Sequence, residues 1–214
     1  MGSPRSKVEI KGFEAKYYDI LMDVLTLGAY GKTMKKAIEL MKIRREDKIL
    51  DLGSGTGRNA CIMRNYLNDN GEIVGLDISE IMIGKAERRC RKYKNVSFEK
   101  VRIEKEIPYK NYFDKAFISF VLHGFEQFDR EKIVKNVYNA LKVGGEFFIL
   151  DYAHDEEENI TGIYHYFLTK IECPLAYEYA ILDQEDFLRK HGFSGFEYAY
   201  FFFKRVNLLK GVKI

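Results

Sequence analysis

The sequence predicts an α/β fold: a mostly parallel seven-stranded sheet with helices on both faces and an antiparallel C-terminal hairpin. Three observations predict it. Short apolar runs alternate with amphipathic stretches from Lys48 to Leu150, the pattern of parallel strands joined by right-handed crossovers. A glycine-rich segment, Gly53-Ser54-Gly55-Thr56-Gly57, stands between the first run and the first stretch. Near the C-terminus two extended runs follow each other without a helix between them, which suits an antiparallel edge.

The elements follow in order. Phe13, Tyr17, Ile20, Leu21, Val24 and Leu27 recur at helical spacing before Gly28, and a second amphipathic helix over Lys32 to Lys42 puts Met34, Ala37, Ile38 and Met41 on one face. Lys48 to Leu52 is a buried strand, and a helix runs from Arg58 to near Asn68. Glu72 to Leu76 is a strand closed by Asp77, Ser79 to Lys92 a helix, Val96 to Val101 and Lys115 to Val121 strands, and Asp129 to Leu141 a helix. Gly144-Gly145 turns into a strand over Glu146 to Leu150. From Ala153 to Leu182 the alternation breaks into an acidic stretch and aromatic helical segments. A helix capped by Asp183 ends at His191-Gly192, and Phe196 to Lys204 with Val206 to Lys210 form the hairpin. We read one domain: cap helices over 1–45, a core over 46–152, an insert over 153–182, and the last helix and hairpin over 183–214.

Composition excludes several classes. With 46% hydrophobic residues and a net charge of +3 the 214-residue chain can bury a core and is not disordered. No apolar run approaches the length of a spanning helix, and residues 1–11 lack the apolar centre of a secretory signal. Cys61, Cys90 and Cys173 show neither zinc spacing nor a disulfide framework. They are expected to be reduced thiols of a cytoplasmic protein. The run Arg88-Arg89-Cys90-Arg91-Lys92 suits the polar face of a helix better than a nucleic-acid patch. The four histidines have no metal spacing, so no metal is expected. Aromatic residues are uneven: 16 of the 31 Phe and Tyr lie between Phe147 and Phe203.

The glycine segment carries the chemistry. Glycines turn the backbone tightly and let a ligand approach without a Cβ clash, while the helix that follows offers unpaired N–H groups. Asp77 closes the next strand twenty residues after Gly57, where an acid can accept both hydroxyls of a ribose. A nucleoside-containing ligand is therefore expected at the carboxyl edge of the sheet.

Asp51-Leu52-Gly53-Ser54-Gly55-Thr56-Gly57 resembles motif I of class I S-adenosylmethionine (SAM) methyltransferases, a Rossmann-like family. Gly75-Leu76-Asp77-Ile78-Ser79 resembles its ribose motif, Phe113 to Ser119 its motif IV, and Leu141 to Phe147 the turn before its fifth strand. The resemblance implies a SAM site of Asp51, Gly53, Ser54, Gly55, Gly57, Asp77, Ile78, Met82 against adenine, and Ser119, with S-adenosylhomocysteine as product. Where many relatives carry an Asp for the adenine amine this chain has Arg102, which cannot accept; Glu104 or a backbone carbonyl is left to substitute.

Tyr18 to Gly28, His191-Gly192-Phe193 and Leu208 to Ile214 are similar to UbiE-like quinone C-methyltransferases. That family's Arg-Asn pair after the fourth strand is here His123-Gly124, which weakens the transfer of its quinone substrate. The resemblance implies methyl transfer to a small-molecule acceptor, lipidic or aromatic, on a quinol-like or aromatic carbon or oxygen. The alternatives are N-methylation of an amine or phospholipid headgroup, with peripheral membrane contact, and a non-catalytic SAM- or NAD-binding module. Ser119-Phe120-Val121-Leu122 lacks the Asn/Asp-Pro-Pro-aromatic motif of amino-methylating nucleic-acid enzymes, so no nucleic-acid partner is expected.

His123, after strand four, is the candidate catalytic base. Tyr18 is the candidate cap over the methionine end, with Tyr17 beside it. Asp151, Tyr152 and His154 follow strand five at the same edge. Tyr152, Tyr164 and Tyr166 are candidate substrate contacts, and Tyr164, Tyr166, Phe167, Tyr177 and Tyr179 form the expected aromatic lid, with His165 near it. His191 is expected at a helix C-terminus. The oligomeric state is not legible.

Overall fold

The computed structural model describes residues 29–214. The expected helix over Phe13 to Leu27, with Tyr17 and Tyr18, lies outside the described residues. Helix α1 (Ala29–Leu40) buries Met34, Ala37 and Ile38, with Met41 beyond its end, at the predicted spacing. Then come β1 (Lys48–Leu52), α2 (Arg58–Met63), β2 (Glu72–Asp77), α3 (Glu80–Cys90), β3 (Val96–Lys100), β4 (Phe113–Ser119), α4 (Gln127–Ala140) and β5 (Leu141–Tyr152). The hairpin is β6 (Phe193–Phe201) and β7 (Val206–Lys213).

These strands form one seven-stranded sheet in the order β3-β2-β1-β4-β5-β7-β6. β1 pairs in parallel with β2 and β4, and β5 pairs antiparallel with β7. The chain runs outward from β1 through β2 to β3, then returns to β4 on the other side of β1. That reversal opens a crevice at the carboxyl ends of β1 and β4, where ligands bind in such sheets. β1 and β4 are buried along nearly their whole length, as strands covered on both faces must be.

Three strand starts differ from expectation: β4 begins at Phe113, not Lys115, and β5 and β6 begin early because of bulges. β5 begins at Leu141, not Glu146. Its register against β4 jumps from Phe113 opposite Leu141 to Lys115 opposite Glu146, and Gly144 sits at φ +74° in the extra segment. β6 begins at Phe193, and its register against β7 shifts between Ser194 and Glu197 around Gly195 at φ +60°.

The insert after β5 carries α5 (Gly162–Tyr166), a π-helical turn at Phe167–Glu172 and α6 (Pro174–Ala180), followed by α7 (Gln184–Arg189). It is anchored rather than loose. Leu168, Leu175, Ala176 and Tyr179 are buried in the same core as the sheet. Asp183 caps α7 as expected, accepting from the Asp186 N–H at 2.9 Å.

The cysteine reading is corrected. Cys61 on α2 and Cys90 at the end of α3 form a disulfide, with Cα atoms 5.9 Å apart, while Cys173 is a free buried thiol. Spacing along the chain gave no hint, because the pair meets only when α2 and α3 pack side by side. The same contact brings Gly57 so close to α3 that a Cβ there would stand 2.8 Å from the Ala86 Cβ.

The closed loop spans 29 residues. Opening it is expected to cost about 3–4 kcal/mol of chain entropy. Chemical denaturation with and without a thiol reductant measures this, with Cys61→Ser as the control that no longer responds. Identical midpoints in both conditions for the unmodified chain would show that the bond does not form.

Candidate active site

The glycine loop leaves the carboxyl end of β1 and enters α2. Its glycines do different jobs. Gly53, Gly55 and Gly57 all have positive φ, which side chains resist. A Cβ on Gly53 would run into Val121 at 2.6 Å, whereas one on Gly55 would meet no atom of the described residues nearer than 4.0 Å. Gly53 and Gly57 are therefore packing glycines, and Gly55 is the one that borders open space. The loop is held by the Ser54 N–H donating to the Leu76 carbonyl at 2.9 Å. Asp77 completes the hold. Its carboxylate accepts the Gly55 N–H at 2.9 Å and the Ser79 N–H at 2.8 Å.

Three buried polar atoms around this loop have no hydrogen-bond partner among the described residues: Asp51 Oδ2, Ser54 Oγ and Asn59 Oδ1. Asn59 is itself placed by donating to Ser119 Oγ at 3.0 Å. Orphaned buried atoms are costly, so a cluster of them beside a glycine loop marks a place built for a polar ligand. Burial, and then the neighbouring Asp77 charge, push the Asp51 carboxyl up to about 8. Burial also raises Asp77, against the N–H donors of Ser79, Gly55 and Ile78. Met82, buried in the first turn of α3, supplies an apolar side chain next to the Ser79 cap. The donor set fits SAM: two acids and open Ser and Asn oxygens could hold its ammonium and hydroxyls, and the open side of Gly55 admits its body. Glu104 is buried and paired with exposed Arg102, so its carboxylate is already engaged.

The second half of the site lies at the ends of β4 and β5. After β4 the backbone turns through Phe120 at φ +52° into a 3-10 turn at Leu122–Gly124. His123 on that turn faces Asp151 of β5. Nδ1 lies 2.7 Å from Asp151 Oδ1; a carboxylate only accepts, so Nδ1 carries the proton and Nε2 of the neutral ring is free. Asp151, fully buried, also accepts the backbone N–H of His123 at 3.2 Å and of Tyr152 at 2.9 Å. Burial alone would lower the His123 pKa, but Asp151 and then Glu172 outweigh it and raise it.

Beneath His123, buried Arg130 of α4 donates to the carbonyls of Leu122 (3.2 Å), His123 (3.2 Å) and Leu175 (2.8 Å). The base-bearing turn and helix α6 of the insert are thereby fastened to one side chain. Around the histidine stands a ring of aromatics. Tyr152 meets His123 edge-on at 4.9 Å and touches Phe120 and Phe167 at 6.1 and 6.3 Å between centroids.

The structure brings His123, Asp151 and Tyr152 together as the sequence suggested. It does not bring Tyr166 to them: that ring is 59% exposed on the outer side of α5. Tyr164, two residues earlier, is half-buried with its ring under Arg205 at 4.2 Å. Tyr179 belongs to the core, stacked under Arg130. His154 and His165 are exposed. His191 does close α7, with Nδ1 2.8 Å from the Phe187 carbonyl. Sequence reasoning missed Asn59, Arg130 and Glu172. Only the Asn59 position, one turn into the helix after the glycine loop, carried a usable signal.

Residues 43–184 match the family described as a methyltransferase domain. The ubiquinone/menaquinone biosynthesis C-methyltransferase UbiE of Proteus mirabilis is 29% identical over 154 residues, 70% of this chain and 60% of that protein. The chain thus spans less than two thirds of the length of the curated relatives it matches. A SAM-dependent methyltransferase from Aquifex aeolicus superposes with a TM-score of 0.64 at 18% identity, covering 85% of this chain and 89% of that one. Phosphoethanolamine N-methyltransferase 2 of Haemonchus contortus, in complex with SAM, gives 0.64 at 17% identity over 80% and 49%. These structures share the fold. Glycine loop, strand order and family match agree: the chain belongs to the methyltransferase-domain family and is similar to the UbiE C-methyltransferases.

Proposed function

We propose that the chain methylates a small-molecule acceptor whose nucleophile first gives a proton to His123. The observation that carries this reading is the His123–Asp151 pair at 2.7 Å, which leaves Nε2 as an acceptor at the carboxyl edge beside the expected SAM site. Asp51, Gly53, Ser54, Gly55, Gly57, Asp77, Ile78, Met82 and Ser119 are proposed to hold SAM, and the product is S-adenosylhomocysteine. No metal is invoked. Among the described residues no helix is long and apolar enough to cross a membrane. The cytoplasmic setting and the single-domain division belong to the proposal.

SAM supplies an electrophilic methyl group, and its thioether leaves without needing an acid. The protein's task is then alignment, exclusion of water and removal of the acceptor's proton. Asp151 fixes the imidazole tautomer and stabilises the imidazolium once formed. Arg130 fixes the turn on which the base rides. Two acceptor classes suit such a base. A quinol-like or aromatic ring, methylated on carbon or oxygen, is supported by the aromatic walls at Phe120, Tyr152 and Phe167 and by the name of the UbiE relatives. An amine is supported by the Glu172 carboxylate, 3.8 Å from Nε2. A screen with labelled SAM over quinols, catechols, amines and lipid extracts, with mass spectrometry of the product, tests the reading; saturable SAM binding with no transfer to any class would leave a binding module instead.

Asp51 yields a prediction about the cofactor. With its carboxyl near 8, most of it is protonated at pH 7, and an arriving ammonium favours the charged form. SAM binding at pH 7 is therefore expected to release a fraction of a proton, measurable by calorimetry in buffers of different ionisation enthalpy. Asp51→Asn should abolish the buffer dependence; a buffer-independent enthalpy in the unmodified chain would count against the assignment.

His123 must be neutral to act, so kcat/KM should rise with pH through its raised pKa and fall as pH drops below it. Asp151→Asn removes the charge that raises it. The acid limb should move to lower pH while kcat drops by about 10²-fold or more. An unmoved limb would mean that another group is titrating. In the lid, Tyr164→Ala should raise the acceptor KM and leave SAM affinity alone. Tyr166→Ala should change neither, which steady-state kinetics with the identified acceptor reads directly.

A further inference from the structure

The acceptor half of the site carries more carboxylate than a base needs. Asp151 is spoken for: it takes two backbone N–H groups and the imidazole, and Arg130 balances its charge. Glu172 is different. It lies at the last position of the π-helical turn, its side chain 33% exposed, with Oε2 3.8 Å from His123 Nε2. That gap is too long for a hydrogen bond. The Tyr152 hydroxyl is its polar neighbour, and most of its lone pairs stay open among the described residues. Arg205, in the turn that closes the hairpin, is committed to Asp155 at 2.6 Å and to the Tyr164 ring. Beside Nε2 there is thus a carboxylate with no Lys or Arg ion pair among the described residues, next to the Tyr152 ring on which Phe120 and Phe167 pack.

We infer that Glu172 makes this a receptor for a protonated amine, and that the methylated atom is the amine nitrogen. The inference rests on His123 acting as the base. A carboxylate at this distance opposes an anionic acceptor: a phenolate or enolate formed at Nε2 would face a like charge. It favours an ammonium group, whose positive charge the aromatic faces also attract. The transfer balances. The ammonium gives one proton to Nε2, leaving a neutral amine with its lone pair. That pair forms the nitrogen–carbon bond to the methyl group as the carbon–sulfur bond breaks, and the sulfur keeps the bonding electrons. The product is a methylated ammonium and a neutral thioether, and the imidazolium returns its proton to water. Throughout, Glu172 faces a cation: the substrate ammonium, then the imidazolium, then the product. Among the described residues the groups facing Nε2 and its acceptor are Asp151, Glu172, Tyr152 and, from behind, Arg130, and no other carboxylate of theirs near the ring duplicates this role.

The test compares an ammonium with its neutral shape-mate. Calorimetry on the full-length protein saturated with S-adenosylhomocysteine is expected to show phenethylamine binding about tenfold or more tighter than phenethyl alcohol. Glu172→Gln should erase most of that preference while leaving S-adenosylhomocysteine affinity intact. In turnover assays, methyl incorporation into free phenethylamine or into phosphatidylethanolamine vesicles supports the inference and tells a soluble amine from a lipid headgroup; incorporation confined to hydroquinone or catechol overturns it. Equal binding of amine and alcohol, or a preference untouched by Glu172→Gln, overturns it as well. His123→Gln separates the two levels of the argument: if it abolishes transfer to a phenolic acceptor while Glu172→Gln is silent, the base stands and only the amine receptor is lost.

Discussion

Burying a carboxylate at Asp151, at the carboxyl end of a central strand, is the constraint around which the acceptor half is organised. A desolvated charge of this kind costs several kcal/mol unless it is hydrogen-bonded and balanced. The fold meets that demand with three N–H donors from two strands' ends and with the Arg130 guanidinium nearby. Each of those donors is also a positioning contact. The imidazole is turned so that Nδ1 faces inward, the β4 turn is drawn toward β5, and Arg130, once buried, must bond carbonyls from the turn and from α6. Satisfying one charge therefore fixes the base, its tautomer and the attachment of the insert.

The cofactor half follows the opposite policy. Asp51 keeps one oxygen without a partner among the described residues and sits beside a second acid. Its raised pKa means that the folded chain binds this proton more tightly than the unfolded chain. Its contribution to stability is present at acid pH, below the ordinary carboxylate range, and is lost as pH rises through about 8. The unliganded protein is thus less stable near neutrality than a chain with a satisfied residue there, and a cationic ligand end relieves the deficit. Asp77 shows how the loop tolerates this: its two N–H contacts hold Gly55 in place, so the strain of an unsatisfied neighbour does not collapse the cradle. One site is pre-paid and rigid, the other poised to be completed by binding.

Much of this was legible in the sequence because it is local. Gly53 to Gly57 must follow a strand and open a helix, and Asp77 must end the next strand, so motif and period place them together. The alternation of strand and helix likewise puts His123 and Asp151 at one edge. What escaped depends on packing between distant segments. Cys61 and Cys90 meet only across two helices. Arg130 reads in the sequence as a surface residue on a charged helix and is buried because it bonds the carbonyls of Leu122, His123 and Leu175. Tyr164 and Tyr166 are chemically alike, and which of them faces inward depends on how a short helix is docked. The aromatic excess divides along the same line: Phe147, Phe193 and Tyr179 are core, while Tyr152 meets the histidine and Phe120 and Phe167 pack on Tyr152.

The π-helical turn explains why Glu172 could not be read from periodicity. In an α-helix, with 3.6 residues per turn, positions five apart point to different sides. Phe167 and Glu172 are five apart, and a helical wheel separates them. A π turn closes i to i+5, which brings such positions to the same side. Here that side is the one facing Tyr152: the Phe167 ring packs against its ring and Glu172 stands near its hydroxyl. The irregular turn thus does what a regular helix of the same sequence would not, presenting an apolar wall and a carboxylate to one tyrosine and, past it, to the imidazole. Pro174 at the start of α6 limits how the turn can be regularised, because it lacks the N–H that a continuous helix would use. A wider turn in front of a proline is therefore part of how the insert aims Glu172 at the imidazole.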